Sequence, residues 1–336
     1  MGAGKFGMTG LSCRIHFFNR DKMNTYDFDV IILGGGPAGL TAGIYCARAK
    51  MKTLILTDGT PGGQMILTHE IANYPGVEST SGYDLSNTMK NQAKKFGAMI
   101  KSNAKITRMD LESEIKSVEV GGKDLYTAGT VILSPGGKSR SLNVPGERKF
   151  KGKGISYCAT CDGDFFQDKE IIVVGGGNSA LEEAVSLTKY ATRVTIVHQF
   201  DNFQGFQHAI EEAKANPKID ILMESKIIEF IGGESLKRVR IQHQVTQEIT
   251  ERTVDGVFIL IGYEPNTESL KGVLELNQWN EIVTKENLET SIPGVFAAGD
   301  AIHKRYRQIT TAVADGTVAA LGALEYLRTT KTASVV

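Results

Sequence analysis

Cysteine is scarce in this sequence of 336 residues. It occurs four times, too few for the disulfide framework of a secreted chain of this length. The scarcity indicates a reducing compartment in which any close cysteine pair has a specialised use. Cys13 lies in an N-terminal stretch without clear periodicity, and Cys46 lies in an apolar, helix-like stretch where we expect it to be buried.

An excess of charge and a long apolar run are also missing. Lys and Arg number 38, as do Asp and Glu, so no global field attracts nucleic acid or an anionic membrane. No apolar run approaches the roughly 18 residues of a membrane-spanning helix. Residues 1–23 carry no hydrophobic segment with a cleavage-like site, and we treat them as an N-terminal tail. We therefore expect a soluble, cytoplasmic protein without nucleic-acid or membrane partners.

The composition that is present is typical of a folded protein. Hydrophobic residues make up 41% of the chain and charged residues 23%, far from the signature of disorder. The length is sufficient for roughly two domains, each with its own core.

A glycine-rich turn follows the first apolar strand pattern. Residues 30–33 predict a buried strand, residues 34–39 read GGGPAG, and residues 40–49 have a helical pattern. Strand, glycine turn and helix in this order predict a dinucleotide-binding unit with phosphates at the helix N-terminus.

Each glycine of this turn has an expected role. Gly34 permits the tight turn, Gly36 lets a pyrophosphate approach the backbone, and Gly39 allows the helix to pack closely on the strand. A second strand, 53–57, ends beside Asp58, at about the spacing of a residue that binds an adenosine ribose.

The same arrangement occurs a second time. Residues 171–174 predict a strand, residues 175–180 read GGGNSA, and helical and strand patterns follow at 181–188 and 194–197. Two such units in one chain predict a flavin in one and a nicotinamide, or its evolutionary remnant, in the other.

Two cysteines separated by two residues lie between the repeats. Cys158 and Cys161 are close enough in sequence to form a small disulfide ring, and a CxxC setting can lower a thiol pKa. A zinc site would need two further ligands, which Cys13 and Cys46 do not supply as a second pair. Asp162 is placed either to pass a proton to these thiols or to cap the next turn.

A short apolar strand near the end of the chain, 294–299, leads into Asp300. Its carboxylate is placed to accept hydrogen bonds from sugar-like hydroxyls, or it belongs to an ordinary turn.

These motifs together resemble the low-molecular-weight flavoprotein thioredoxin reductases. The resemblance covers residues 24 to about 327 and rests on GGGPAG, Gly62-Gly63-Gln64, Asn73-Tyr74-Pro75-Gly76, Cys158-Ala159-Thr160-Cys161-Asp162, GGGNSA, Gly299-Asp300 and Arg307-Gln308. It implies an α/β protein with two Rossmann-like, three-layer ββα dinucleotide-binding domains, the second inserted into the first. The implied domains are a discontinuous FAD domain at 24–140 and 265–336 and a pyridine-nucleotide-type domain at 141–264.

The resemblance also implies a homodimer, thioredoxin as partner and FAD as cofactor, with no metal. Cys161 would lie nearer the flavin, Cys158 would exchange with thioredoxin, and Asp162 would be the acid. The implied FAD contacts are Gly34, Gly36, Pro37, Ala38, Gly39, Asp58, Gly63, Gln64, Asn73, Gly299, Asp300, Arg307, Gln308 and Ile309.

Two departures from the family pattern bear on function. Ser134-Pro135-Gly136 stands where the family usually has Ala-Thr-Gly, so no flavin role is carried onto Pro135. After the second repeat, residues 198–205 read HQFDNFQG, whereas NADPH-using members place three arginines there for the 2′-phosphate. Losing two or three charged hydrogen bonds would weaken NADPH binding by about two to four powers of ten.

The missing arginines make the chain similar to the ferredoxin-dependent branch of the family, in which reduced ferredoxin is the electron donor. Docking an acidic ferredoxin would require basic side chains, and Lys304, Arg305 and Arg307 are candidates. The run 237–240 is expected to be a solvated face. The alternatives are an NADH- or NADPH-dependent thioredoxin reductase, a dithiol oxidase that uses oxygen, and a nucleotide-sensing or scaffold protein without catalysis.

Overall fold

A computed structural model describes residues 26–68 and 70–333. The predicted tail, 1–23, and Cys13 lie outside the described residues. The α-helices of the described part are α1 (Pro37–Arg48), α2 (Gly82–Phe96), α3 (Glu147–Phe150), α4 (Ala159–Asp162), α5 (Asn178–Leu187), α6 (Gln207–Ala215) and α7 (Ile309–Ala333). Short 3-10 helices span Gly63–Leu67, Gly163–Phe166 and Glu268–Leu270.

Strands occur throughout the same residues. They are β1 (Phe28–Leu33), β2 (Thr53–Leu56), β3 (Met99–Lys101), β4 (Ile106–Asp110), β5 (Lys116–Val120), β6 (Asp124–Leu133), β7 (Gly137–Ser139), β8 (Ile155–Ser156), β9 (Glu170–Val174), β10 (Arg193–Val197), β11 (Ile219–Leu222), β12 (Ser225–Gly232), β13 (Leu236–His243), β14 (Ile249–Thr253), β15 (Gly256–Ile259), β16 (Tyr263–Pro265) and β17 (Val295–Ala297).

The first unit is a layered α/β fold. Strands β3, β2, β1, β6 and β17 are parallel neighbours, and β4, β5 and the start of β6 form an antiparallel layer. One face of β1 packs against α1, α2 and α7 through Val30 and Ile32. Its other face packs through Ile31 and Leu33 against a second hydrophobic core. Burial on both faces explains why residues 30–33 of β1 form a continuous apolar run.

The second unit repeats this plan within the chain of the first. Its parallel order is β11, β10, β9, β15 and β8, and β12, β13 and β14 form an antiparallel layer. A core under α5 and α6 covers one face of the sheet, and a core under the antiparallel strands covers the other. Because β17 pairs with β6 of the first unit, the second Rossmann-like fold is inserted into the first, as predicted.

The two connections between the units run side by side. The outgoing strand β7 pairs antiparallel with the returning strand β16, and Arg140 forms a 3.2 Å ion pair with Glu264. This ribbon holds the two crossings of the chain together.

Both repeat helices begin earlier than their apolar patterns indicate. The pattern predicts starts at Leu40 and Leu181, but α1 begins at Pro37 and α5 at Asn178. Proline suits the first helical position because its missing N–H has no partner there in any case. The helix therefore starts inside the glycine motif, with its N-terminus at the predicted phosphate position.

Candidate active site

The two glycine turns have matching geometry. Gly34 and Gly175 have φ of 117° and 143°, which favours glycine. A Cβ at Gly34 would lie 2.0 Å from the Ser134 carbonyl oxygen, and one at Gly175 would lie 2.4 Å from that of Leu260. Each turn therefore packs against the chain that leaves the neighbouring parallel strand.

The third glycine of each turn faces open space. A Cβ at Gly36 would have its nearest neighbour 4.0 Å away, at Gly63, and one at Gly177 would meet nothing within 4 Å. Among the residues that the structure describes, no side chain caps the N-terminus of α1 or α5. Both helix ends therefore leave room and backbone donors for a phosphate group.

The strand β17 delivers Gly299 and Asp300 to the first turn. A Cβ at Gly299 would lie 2.9 Å from that of Ala38, next to the N-terminus of α1. Asp300 Oδ1 is buried and has no hydrogen-bond partner among the described residues. Burial raises the pKa of Asp300, and the charges of Lys304 and Arg307 partly offset this effect.

Arg307 is held by a polar network beside Asp300. Its Nε donates to the Asp300 carbonyl at 3.2 Å, and its guanidinium pairs with Glu281. Glu281 also contacts His303 at 2.8 Å. Burial alone would raise the pKa of Glu281, but hydrogen bonds from His303 and Asn277 and the charge of Arg307 hold it below its ordinary value.

Tyr263 on β16 completes this part of the site, and no sequence motif marks it. Its Oη is buried without a hydrogen-bond partner among the described residues, and the Arg307 guanidinium lies 4.6 Å from its ring centre. Burial is the main reason that its pKa is raised, and the charge of Asp300 adds to it.

Cys158 and Cys161 form a disulfide with Cα atoms 5.3 Å apart. Cys158 precedes the single turn of α4, which contains Cys161. The Gln308 side-chain amide donates to Cys158 Sγ at 3.9 Å. The segment predicted to contact the cofactor therefore reaches the redox pair.

Asp162 is half-buried beside the disulfide. Burial raises the pKa of its carboxyl, although the Ser156 hydroxyl donates to Oδ2 at 2.6 Å and opposes the shift. Ser156 also accepts a 3.1 Å hydrogen bond from the Cys158 amide. A carboxyl that keeps its proton to higher pH suits the predicted acid role.

Glu183 on α5 contacts the same turn from the other side. Its Oε2 accepts a 3.0 Å hydrogen bond from the Ala159 amide. Burial raises its pKa, and that hydrogen bond partly offsets the rise. Neither Glu183 nor Ser156 carries a sequence signal that would have identified it.

A cavity of about 1170 Å³ connects the disulfide turn, the second glycine turn and the segment that contains Asp300 and Arg307. Its lining includes both cysteines, Glu183, Tyr263 and the second glycine turn, together with the predicted contacts Gln64, Asp300, Arg307 and Gln308. The predicted residues of the first turn, Gly34, Gly36, Pro37, Ala38 and Gly39, adjoin this region through Gly299, and Gly63 packs against Gly36. Ile309 begins α7 directly after Gln308.

Four of the fourteen predicted cofactor contacts line this cavity, and the other ten, Asp58 and Asn73 among them, lie outside its lining. Asp58 is exposed after β2, and Asn73 is exposed in the following loop. Their roles stay predictions.

The ring of a histidine packs against the second glycine turn. His198 is buried at the end of β10, where a Cβ at Gly176 would lie 2.3 Å from its ring. Its Nε2 lies 3.0 Å from the Asn202 carbonyl, and Phe203 stacks on the ring. Burial lowers the His198 pKa. This packing favours a structural role over a catalytic one.

The basic docking surface predicted at 304–307 is largely neutralised within the fold. Lys304 pairs with Asp315, and Arg307 pairs with Glu281. Arg305 is exposed, with its guanidinium over the Tyr306 ring. In the run 237–240, Arg238 and Arg240 pair with carboxylates across the sheet, as expected of a solvated face.

Within residues 26–68 and 70–333, no cluster of three His, Cys, Asp or Glu side chains could hold a metal ion. In the same ranges, no helix has the length and apolar character needed to cross a bilayer.

Two glycine turns of dinucleotide-binding type in a chain with a short-range disulfide define a class of redox protein, and comparisons with known proteins agree. A family model described as pyridine nucleotide-disulphide oxidoreductase matches residues 28–316. The thioredoxin reductase of Peptoclostridium acidaminophilum is 44% identical over 307 residues, covering 89% of this chain and 97% of the relative.

Two further proteins show the same similarity. A Clostridium pasteurianum relative, described as a 34.2 kDa protein in a rubredoxin operon, is 44% identical over 299 residues, covering 89% of this chain and 97% of that protein. The crystal structure of Streptococcus pyogenes MGAS5005 thioredoxin reductase superposes with a TM-score of 0.86 at 40% identity, covering 90% of this chain and 98% of that chain. The chain belongs to the pyridine nucleotide-disulphide oxidoreductase family, and these relatives include thioredoxin reductases.

Proposed function

We propose that this protein is an FAD-dependent thioredoxin reductase that takes its electrons from reduced ferredoxin. FAD fits the first unit because a phosphate can approach Gly36 and the N-terminus of α1. The side-chain oxygens of Asp300 and Tyr263, buried and without a partner in the described part of the chain, would pair with polar atoms of the cofactor, since leaving them unpaired costs about 1–3 kcal/mol each.

Bound FAD would accept electrons from an iron–sulfur protein and deliver two of them to a disulfide. Reduction of the Cys158–Cys161 bond consumes two electrons and two protons and gives two thiols. The Cys158 thiolate then attacks the thioredoxin disulfide and forms a mixed disulfide, and the released sulfur takes a proton. Attack of Cys161 on Cys158 Sγ restores the intramolecular disulfide and releases reduced thioredoxin.

Asp162 would manage the protons of this exchange. Its carboxyl lies beside the pair and keeps its proton to higher pH because it is buried. It could protonate a departing thiolate and recover the proton when a thiol is next deprotonated.

The choice of donor rests on the chemistry at the end of β10. Gln199, Phe200 and Gln204 line the cavity beside the second turn, at positions where a 2′-phosphate would need cations. Ferredoxin carries no 2′-phosphate, so a ferredoxin donor does not require cations at these positions. A donor at about −400 mV that reduces thioredoxin at about −270 mV releases about 6 kcal/mol for two electrons.

Three observations favour a second candidate, an NAD(P)H-dependent thioredoxin reductase. The second turn is open at Gly177, α5 has no side-chain cap, and Lys226 lines the same cavity. A dinucleotide could therefore still enter this cleft.

Anaerobic flavin absorbance distinguishes the two donors. Purified yellow protein is titrated separately with reduced ferredoxin, NADH and NADPH, and thioredoxin thiols are counted. Bleaching and thiol formation with ferredoxin alone support the proposal. Rapid bleaching by a pyridine nucleotide supports the second candidate, and oxidised thioredoxin after reduction with ferredoxin contradicts the proposal.

Three further expectations from the sequence stay predictions. They are the homodimer, the cytoplasmic location, and the domain boundaries at 24–140, 141–264 and 265–336.

A further inference from the structure

The disulfide turn is held by a carboxylate from another element of the second unit. Glu183 lies on α5, which packs against α4. Its carboxylate accepts a 3.0 Å hydrogen bond from the amide of Ala159, the residue that directly follows Cys158 in the chain. In a turn that starts at a cysteine, such an amide is available to stabilise the thiolate, but here Glu183 occupies it.

We propose that Glu183 is a positioning and electrostatic residue for the redox pair, fixing the Ala159 amide and opposing formation of the Cys158 thiolate in the reduced enzyme. The inference rests on the proposed function in one respect, that Cys158 is the exchanging thiol. A carboxylate acts in this way because a like charge nearby disfavours the ionised thiol. It therefore sets the pH at which the pair becomes nucleophilic.

Several other titratable or charged side chains lie around this turn. Glu147 on α3 accepts a 2.7 Å hydrogen bond from the hydroxyl of Tyr157, the residue before Cys158, and Arg305 and Arg307 line the same cavity. Glu182, on the same helix as Glu183, and Asp164, after α4, are exposed, whereas Asp162 is bound by Ser156. Gln308 contributes a neutral amide. Helix α6 also packs against α5 and carries the exposed side chains His208, Glu211, Glu212 and Lys214. Glu183 is thus the half-buried carboxylate that bonds the turn directly from a separate helix.

The chain offers a matched pair of variants. Glu183→Gln retains an oxygen that can accept from the Ala159 amide but removes the charge. Glu182→Gln removes the same charge from the neighbouring exposed position. Glu183→Ala removes both the charge and the acceptor, which separates the electrostatic effect from the positioning effect.

The test measures how fast Cys158 is alkylated by iodoacetamide in the anaerobically reduced holoenzyme, from about pH 6 to about pH 10, around the ordinary thiol range. Fragment-ion mass spectrometry counts Cys158 separately from the other cysteines. We expect the alkylation midpoint of Glu183→Gln to fall by about one pH unit, while Glu182→Gln keeps the midpoint of the parent enzyme. Glu183→Ala should lower the midpoint at least as far.

An unchanged midpoint in Glu183→Gln, or an equal shift in Glu182→Gln, would overturn the proposal. Since the measurement uses neither thioredoxin nor ferredoxin, its outcome is independent of the proposed substrates. A shifted midpoint in an enzyme that does not reduce thioredoxin would reject the proposed function and leave the role of Glu183 intact.

Discussion

Asp162 has the carboxyl whose protonation the proposed exchange requires. Its pKa is raised by burial, so the acid form persists to higher pH than in an exposed aspartate. We expect Asp162→Asn to slow thioredoxin reduction about 100-fold at neutral pH, because positioned acids contribute at least that much. In the parent enzyme the rate should fall as pH rises through the raised pKa, and this limb should be missing from the variant. The rate of thiol appearance, followed against pH, checks both expectations.

Asp164→Asn is the matched control for this variant. Asp164 is exposed, and its charge contributes to the raised pKa of Asp162. The control should therefore keep its rate and move the falling limb slightly to lower pH. Equal losses in both variants would contradict an acid role for Asp162.

Tyr263 supplies a second prediction for a single residue. Its hydroxyl is buried near Asp300 and Arg307 and finds no hydrogen-bond partner in residues 26–68 and 70–333. If FAD provides the missing partner, Tyr263→Phe should weaken FAD binding about tenfold, since one hydrogen bond contributes about 1 kcal/mol or more. The apoprotein should be no less stable, because the variant removes an unsatisfied group. Flavin fluorescence on dilution measures release, and calorimetry of the apoprotein is the control. Unchanged FAD affinity would show that the hydroxyl does not face the cofactor.

The glycine turns allow the two nucleotide clefts to be tested separately. Gly36 and Gly177 both have room for a Cβ without a clash, so Gly36→Val and Gly177→Val should fold. The larger side chain would fill the space that a phosphate needs. We expect Gly36→Val to be colourless and inactive, and Gly177→Val to remain yellow and to reduce thioredoxin with ferredoxin at the parent rate.

Absorbance and turnover of the two glycine variants check this expectation. Loss of ferredoxin-driven turnover in yellow Gly177→Val would mean that the second cleft takes part in catalysis. Thermal unfolding of both apoproteins shows whether either substitution has disturbed the fold.

The strands and helices around the two glycine turns were the most predictable part of the molecule from sequence. Glycine turns between apolar runs predicted β1, α1 and β2, and again β9, α5 and β10, because each pattern is local. The helix starts were three residues late, since Pro37 and Asn178 precede the first apolar residues of their helices. The CxxC disulfide was also predictable from its spacing.

Contacts between distant residues were not predictable in this way. Nothing local marks Glu183 as the acceptor for Ala159, or Tyr263 as a buried neighbour of Arg307. Likewise, the run at 304–307 gave no indication that Asp315 and Glu281 neutralise two of its cations. Such pairings depend on how separate elements pack, which a single sequence does not show.

At the scale of the whole molecule, the second unit has the features of an independent domain. Its sheet lies entirely within residues 155–259, and its two cores contain residues of that unit alone. The ribbon of β7 and β16 brings its two ends together, as is common where one domain is inserted into another. The first unit, by contrast, needs β17 and α7 from the far end of the chain.

This asymmetry predicts how the chain can be divided. A fragment of residues 141–264, about 120 residues and an ordinary domain size, should fold alone and unfold in one cooperative transition. It should contain the Cys158–Cys161 disulfide and lack flavin absorbance. Circular dichroism during heating, with mass spectrometry of the disulfide, provides the measurement. Residues 24–140 alone should not fold cooperatively, because their sheet lacks β17 and one face lacks α7. A broad, uncooperative transition in the 141–264 fragment would mean that the inserted unit depends on the first for its stability.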